Sequence, residues 1–288
     1  MDMVKCSNPQ CRLLWLDPRP AAGDLWKAYR NYYTHQDSEP RGPLRKTLSA
    51  ALQLAVDACI GLSGLRQERH NVRNLHLNTR TPGNLLEIGC GDGSFLQRMQ
   101  QVGWKVRGID FDADAIAAAH KRVGACVQAG QLADFRFADD EFDAIAMHHV
   151  LEHVDDPLSL MAEAHRILRP GGLFVCVTPN ADSWGHRYFG RAWRGLEPPR
   201  HLNIFSMGAL RDAAGRCGFD RFSVYSTTVN TWVFFEASAR IARGTDGTAP
   251  LAWKVPVLLR AICAQLVASI RNRRQRALGE ESVLVAEK

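Results

Sequence analysis

Short apolar runs at residues 85–90, 106–110, 126–129, 142–147 and 173–178 alternate with segments opening at Ser94, Ala113 and Pro157, where apolar side chains recur every three or four positions. Unbroken or alternating apolarity over a few residues belongs to strands and the longer period to helices, so the alternation predicts βαβ units and a parallel sheet. Open sheets of this kind bind ligands beyond the carboxyl ends of their strands. On that edge the pattern gathers a glycine-rich loop at 89–93, Asp110, residues 148–153 and Thr178-Pro179-Asn180. A further helix is predicted at 206–217, a sixth strand at 222–228 and a seventh at 281–286.

The last two strands stand unusually far apart in sequence. The residues between them, 230–279, place apolar positions 255, 258, 259, 262, 266 and 270 on one helical face, followed by Arg271-Asn272-Arg273-Arg274-Gln275-Arg276. That is the pattern of a surface-seeking amphipathic helix, with packing on the domain or a dimer contact as the alternatives. Upstream, residues 44, 48, 51, 52, 55, 56, 59 and 60 suggest another amphipathic helix, and Thr81-Pro82-Gly83-Asn84 punctuates the entry to the main unit. The expected organisation is an N-terminal extension (1–80), a core (81–229), a helical, basic and apolar insertion (230–279) and the last strand of the core (280–288).

Composition narrows the classes. The chain has 288 residues, 46% of them hydrophobic, enough for one α/β core with additions. Thirty-six basic against 30 acidic residues is a mild excess, and nucleic acid is not an expected partner. Eight cysteines at 6, 11, 59, 90, 126, 176, 217 and 263, several inside apolar strands, read as reduced thiols in a reducing compartment. Met1-Asp2-Met3-Val4-Lys5 lacks the apolar stretch of a secretion signal, and no apolar run approaches the roughly 18–20 residues that span a bilayer. The expected location is cytoplasmic, with peripheral membrane contact through 250–276.

The chemistry begins at Leu85-Leu86-Glu87-Ile88-Gly89-Cys90-Gly91-Asp92-Gly93, with Asp110 seventeen residues beyond Gly93. Glycines let a strand turn sharply into a helix and let backbone approach a nucleoside. The dinucleotide fingerprint Gly-x-Gly-x-x-Gly would need a third glycine where Ser94 stands. Glu87, two residues before the first glycine, would repel a pyrophosphate and welcome a cation.

Together, 87–93, Gly108-Ile109-Asp110, Glu141-Phe142-Asp143-Ala144-Ile145, 148–154 and Arg166-Ile167-Leu168-Arg169-Pro170-Gly171-Gly172 resemble, in order, the motifs of class I S-adenosylmethionine (SAM)-dependent methyltransferases. The resemblance covers residues 84–228. It implies a Rossmann-like α/β fold with a seven-stranded, mostly parallel sheet whose last strand is antiparallel. It also implies SAM as cofactor. Glu87 would orient the loop and the methionine amino group, and Gly89, Cys90, Gly91 and Gly93 would line the cofactor. Asp110 would accept from the ribose hydroxyls, with Phe111 and His148 beside it. Gln131 and Leu132 would bracket the adenine, where the usual acidic residue is lacking unless Asp134 supplies it in a shifted register.

On the acceptor side, imidazoles crowd the end of the fourth strand, and a neutral ring can take a proton from a hydroxyl at physiological pH. His149 is the first candidate base and His201 the second. His149, Glu152 and His153 also resemble in position the divalent-metal ligands of ubiquinone-pathway O-methyltransferases, with His149 where those have a carboxylate, and no metal is assigned. Thr178-Pro179-Asn180, Trp184, Trp193 and Pro198-Pro199-Arg200-His201-Leu202 resemble the substrate-side insert of glycan-cluster methyltransferases. Arg200 would pair with a substrate anion or else anchor its own loop. Residues 24–36, with Tyr32 and Tyr33, resemble a lid helix, and Cys6 and Cys11 the second half of a zinc ribbon whose first half is missing. The resulting expectation is methyl transfer to an oxygen of a small-molecule or glycan-type acceptor. The rival is a SAM-binding scaffold without catalysis, and less favoured is a nicotinamide oxidoreductase.

Overall fold

The computed structural model describes residues 2–21, 57–58, 61, 64–244, 251–274 and 277–288. The lid-helix expectation at 24–36 and nearly all of the helix expected from 44 lie outside the described residues.

Seven strands form the main sheet in the order β5-β4-β3-β6-β7-β10-β9. They are β3 (Asn84–Ile88), β4 (Lys105–Asp110), β5 (Val127–Ala129), β6 (Phe142–His148), β7 (Leu168–Pro179), β9 (Arg221–Thr227) and β10 (Glu281–Glu287). β3 pairs in parallel with β4 and β6, β4 with β5, and β6 with β7. β10 alone runs antiparallel, wedged between β7 and β9. β7 begins five residues before the expected start at 173, because Leu168 already pairs with Phe142 ahead of an irregularity in the register.

Both faces of the central strands are covered, which is why their sequences read as nearly continuous apolar runs. On one face α4 (Pro157–Ile167) and α6 (Met207–Arg216) pack Met161, Ile167 and Leu210 against Ile145, Phe174 and Leu284. On the other, α1 (Arg66–Arg73), α2 (Ser94–Gln101) and α3 (Ala113–Val123) pack Val72, Leu96, Met99 and Ile116 against Leu85, Val106 and Val175. Asp112 caps α3 by accepting from Asp114 and Ala115 N–H, and Ser206 caps α6 by accepting from Ala209 N–H.

A small second sheet joins β1 (Asp2–Lys5) and β2 (Leu14–Asp17) to β8 (Asn203–Ile204). Cys6 and Cys11 flank the turn of this hairpin, and Arg19 ties it to Asn203 Oδ1 at 2.8 Å.

Between β9 and β10 the chain forms α7 (Thr231–Ala242) and α8 (Leu251–Arg274), which pack on each other. The apolar face read from the sequence of α8 is divided, Ile262 and Leu266 half-buried and Leu259 and Ile270 open, and the fully packed face lies to one side of it. Val257, Ala261, Ala264 and Ala268 are buried, whereas Leu259 and Ile270, assigned to the apolar face from sequence, are exposed. Small side chains let two helices approach closely, so the alanine stripe takes the inner face. Among the described residues no helix is long and apolar enough to cross a membrane.

Candidate active site

β3 delivers the glycine loop. Gly89 and Cys90 N–H both donate to Ile109 O, at 2.8 and 3.1 Å, which pins the loop to the end of β4. Gly89 has φ +73°, and a Cβ there would lie 2.3 Å from Val150 Cγ2, so no larger residue fits. A Cβ on Gly91 would meet nothing within 4 Å, which marks the open side of the loop.

Asp110 closes the same corner. Its Oδ2 accepts from Gly91 N–H at 2.9 Å and its Oδ1 from Asp112 N–H at 3.0 Å. Burial raises its pKa, while the two backbone donors oppose that shift. Each oxygen keeps a lone pair for a further donor. Phe111 stands exposed beside it.

Glu87 faces a cavity of about 280 Å³ lined also by Arg69, Arg73, Phe95, Arg98, His148 and Asn230. Its carboxylate is buried and Oε2 has no hydrogen-bond partner. Burial raises its pKa well above the carboxylate range; Arg98 opposes this, and Asp110 and Asp92 add to it. An unmatched buried acid on a cavity wall is a place for a cationic or ammonium group.

Other expected cofactor contacts are placed differently. The Leu132 side chain is packed in the core, which leaves only its backbone toward a ligand. Asp134 turns one oxygen to its own loop, Oδ2 accepting from Gln131 N–H at 2.7 Å. The Cys90 thiol is buried too, its pKa raised first by burial and then by Glu87 and Asp110.

The edge around His149, expected from sequence to face the acceptor, is assembled from four separate segments. His149, at φ +56°, bonds Glu152 Oε1 through Nδ1 at 2.9 Å and Glu281 Oε1 through Nε2 at 2.8 Å. Thr178 Oγ1 donates to the second oxygen of Glu152 at 3.0 Å, and Asn230 Nδ2 to that of Glu281 at 2.8 Å. Burial alone would lower the His149 pKa, but the two carboxylates win and raise it to about 10. Glu152 falls to about 2 because its bond and charge pairing with His149 outweigh burial. With both nitrogens bound and the ring cationic, His149 has no site for a substrate proton.

His148, at the end of β6, packs edge-on against His149 with centroids 4.5 Å apart and opens onto the cavity. Although its surface stays open to solvent, the protein packed around the ring, and then the neighbouring cation, hold its pKa below the usual imidazole value. His201 is buried behind Glu152, with Nδ1 on Gly195 O at 2.7 Å, and is lowered by burial to about 4. It does not line the cavity.

Among the described residues two triads bring potential metal-ligand atoms within 4.8 Å of one another, His148 with His149 and Glu281, and Glu152 with His153 and His201. The first would have to break a His149 bond. In the second, His153 Nδ1 lies 3.1 Å from Arg200 O, and the two Glu152 oxygens already bond His149 and Thr178.

The expected substrate-side residues are committed elsewhere. Arg200 bonds Glu197 through Nε at 2.8 Å, inside its own loop. Trp193 is buried and donates to Glu280 Oε2 at 2.8 Å, while Trp184, which opens α5 (Trp184–Phe189), packs on Phe235 with centroids 4.6 Å apart. Asn230, Glu281 and the arginines Arg69, Arg73 and Arg98 belong to no local motif of the sequence, yet stand at this site. Two adjacent carboxylates, Glu280 and Glu281, opening an apolar strand were the available signal.

Comparison with known proteins follows the same outline. A family model described as "Methyltransferase domain" matches residues 65–224. A "Probable S-adenosylmethionine-dependent methyltransferase" of Mycolicibacterium smegmatis is 34% identical over 179 residues, 58% of this chain and 66% of that protein. A "Ubiquinone biosynthesis O-methyltransferase" of Ruegeria pomeroyi is 38% identical over 106 residues, 34% of this chain and 42% of that protein. The chain thus spans less than two thirds of the length of these relatives. The crystal structure of a SAM-dependent methyltransferase from Archaeoglobus fulgidus superposes with TM-score 0.52 at 16% identity, covering 77% of this chain and 91% of that one, a likeness of fold.

Proposed function

We infer the reaction from a plain premise: this chain belongs to the methyltransferase domain family. It is a family of SAM-dependent enzymes, and the proposed activity is transfer of the SAM methyl group to an oxygen of a small-molecule or glycan-type acceptor. The observation that carries the reading is the buried, unmatched Oε2 of Glu87 on the cavity wall beside the glycine loop and Asp110.

The residues fit the cofactor by the chemistry of their donors and acceptors. Glu87 would hold the ammonium group, Arg69 and Arg73 on the same wall would face the carboxylate, and the free lone pairs of Asp110 would take two vicinal hydroxyls. Gly89, Gly91 and Gly93 would keep the backbone close, with Phe111, Gln131 and the Leu132 backbone toward the base. SAM supplies an electrophilic methyl on a sulfonium, so the protein's work is alignment and exclusion of water.

On the acceptor side His149 is proposed as a fixed cation rather than a base. His148 is the neutral imidazole on the cavity wall, and the acceptor hydroxyl would hydrogen-bond to it and pass its proton there. His201 would hold the loop behind Glu152. The oxygen acceptor draws support from the O-methyltransferase name of the Ruegeria pomeroyi relative.

Calorimetry with SAM tests the reading. Wild type should bind in the micromolar range and Asp110→Ala at least about 100-fold more weakly, since charge-assisted hydrogen bonds contribute about 1.5–3 kcal/mol each. Absence of binding by the wild type would reject it. Methyl transfer to a panel of phenols, sugars and lipid-linked glycans, reduced in His148→Ala, tests the acceptor half.

A further inference from the structure

The outer face of α8 has a composition that packing does not explain. Pro256, Leu259, Cys263, Val267 and Ile270 follow one another at spacings of three and four, and all are exposed. Leu259 is 58% exposed, Val267 40% and Ile270 60%. Monomeric surfaces scatter single apolar side chains, but a continuous stripe along a helix marks a contact surface. The inner face is filled, with Val257, Ala261, Ala264 and Ala268 buried against the rest of the molecule.

Charge identifies what the stripe meets. Exposed Arg260 and Arg271 border it, and Arg274 continues its spacing in sequence. Six of the 36 basic residues and none of the 30 acidic ones lie in 247–279. The rest of the chain therefore carries 30 of each sign, and the whole net charge of +6 sits in this segment. A second copy docking through the same face would bring two such charges together. Nucleic acid would match the arginines and leave the apolar stripe without a partner. An anionic bilayer matches both, apolar side chains entering the headgroup boundary and arginines resting on the phosphates.

We propose that α8 docks this chain on an anionic phospholipid surface, lying in the interface through Leu259, Cys263, Val267 and Ile270. The helix lies firmly on the core. Buried Gln265 donates to Thr228 O at 2.6 Å and accepts from Trp232 N–H at 3.2 Å. Asn230, which opens α7, lines the cavity, so the docked face is one helix away from it. The docking stands independently of the methyl-transfer reading.

The test is cosedimentation of the full chain with vesicles of phosphatidylglycerol and phosphatidylcholine, and with vesicles of phosphatidylcholine alone. Binding is expected on the anionic vesicles only and should disappear near 1 M salt, where the Debye length is about 3 Å. Arg260→Glu and the pair Leu259→Asp with Ile270→Asp should each weaken it about five-fold or more, with the circular dichroism spectrum unchanged. As a second measurement, anionic vesicles should slow maleimide labelling of Cys263, located by peptide mass spectrometry. Absence of sedimentation, equal binding to both vesicle types, or variants that bind like the wild type would overturn the proposal. So would a dimer that Leu259→Asp abolishes in a protein that ignores vesicles.

Discussion

Glu87 and Glu281 are both buried glutamates at the carboxyl edge of one sheet, and their surroundings are opposite. Glu87, next to last in β3, leaves Oε2 without a partner. Glu281, at the head of β10, is saturated by His149 and Asn230. Burial raises the Glu87 pKa, whereas the His149 bond and charge lower that of Glu281 in spite of burial. An acid that the protein leaves incomplete is waiting for a ligand, and an acid that the protein completes is holding the frame. The edge at Glu87 and the edge at His149 and Glu281 thus differ in kind, one open and the other closed on itself.

Glutamine at the two positions should break the symmetry most strongly. Glu281→Gln leaves His149 with half its counter-charge, and removal of one partner from a buried pair costs about 3–5 kcal/mol. Its thermal midpoint should fall by many degrees. Glu87→Gln removes an unmatched buried carboxyl, so the ligand-free protein should gain about 1 kcal/mol while affinity for SAM drops. Thermal melts of both, with and without SAM, read the two signs, and the same sign in both variants would remove the distinction.

pH sharpens the contrast next. The His149 pKa is raised from 6.5 to about 10, so the stability it contributes is full below pH 6.5 and is lost as pH climbs toward 10. Glu152 is lowered from 4.5 to about 2, and its contribution holds above pH 4.5 and is lost as pH falls toward 2. His201 is lowered from 6.5 to about 4, so the unfolded chain takes up that proton first and stability declines as pH drops from 6.5 toward 4. Denaturant melts should therefore peak near pH 6.5, with a shallower alkaline limb in Glu281→Gln.

Gly89→Ala should lower both stability and SAM affinity, because its Cβ meets Val150 and its φ is positive. The smallest effect belongs to Phe111→Ala, which changes an exposed ring at the open edge. SAM affinity should fall a few-fold, about 1 kcal/mol, with the melting temperature unchanged. A lower melting temperature would mean that the ring supports the frame.

The open edge was legible in the sequence and the closed edge was not, for a physical reason. The glycine loop and Asp110 act within one βαβ unit, so spacing alone places them together. His149 and Glu281 are 132 residues apart, and only the insertion of β10 between β7 and β9 brings them into contact. His149 therefore looked like a free imidazole and proves to be bonded on both nitrogens. For Arg200 the sequence left pairing with a substrate and anchoring of its own loop both open, and Glu197 holds it in the loop, as Glu280 holds Trp193. In α8 apolar residues occur on more than one side, and the hydropathy pattern could not say that alanines would turn inward.

The roots of the α7 and α8 insertion stand side by side. Gly279 N–H donates to Ser226 Oγ at 3.0 Å, a Cβ on Gly279 would lie 2.3 Å from Thr227 O, and Asn180 Nδ2 donates to Gly279 O at 2.8 Å. A segment that leaves and re-enters the sheet at one point can be lengthened at little entropic cost, about 0.6 kcal/mol for each doubling of a flexible loop. To natural variation, the hairpin is a graft on a finished stem. Lineages could exchange what lies beyond Asn230, and with it the surface the protein meets, while the sheet beneath stays the same.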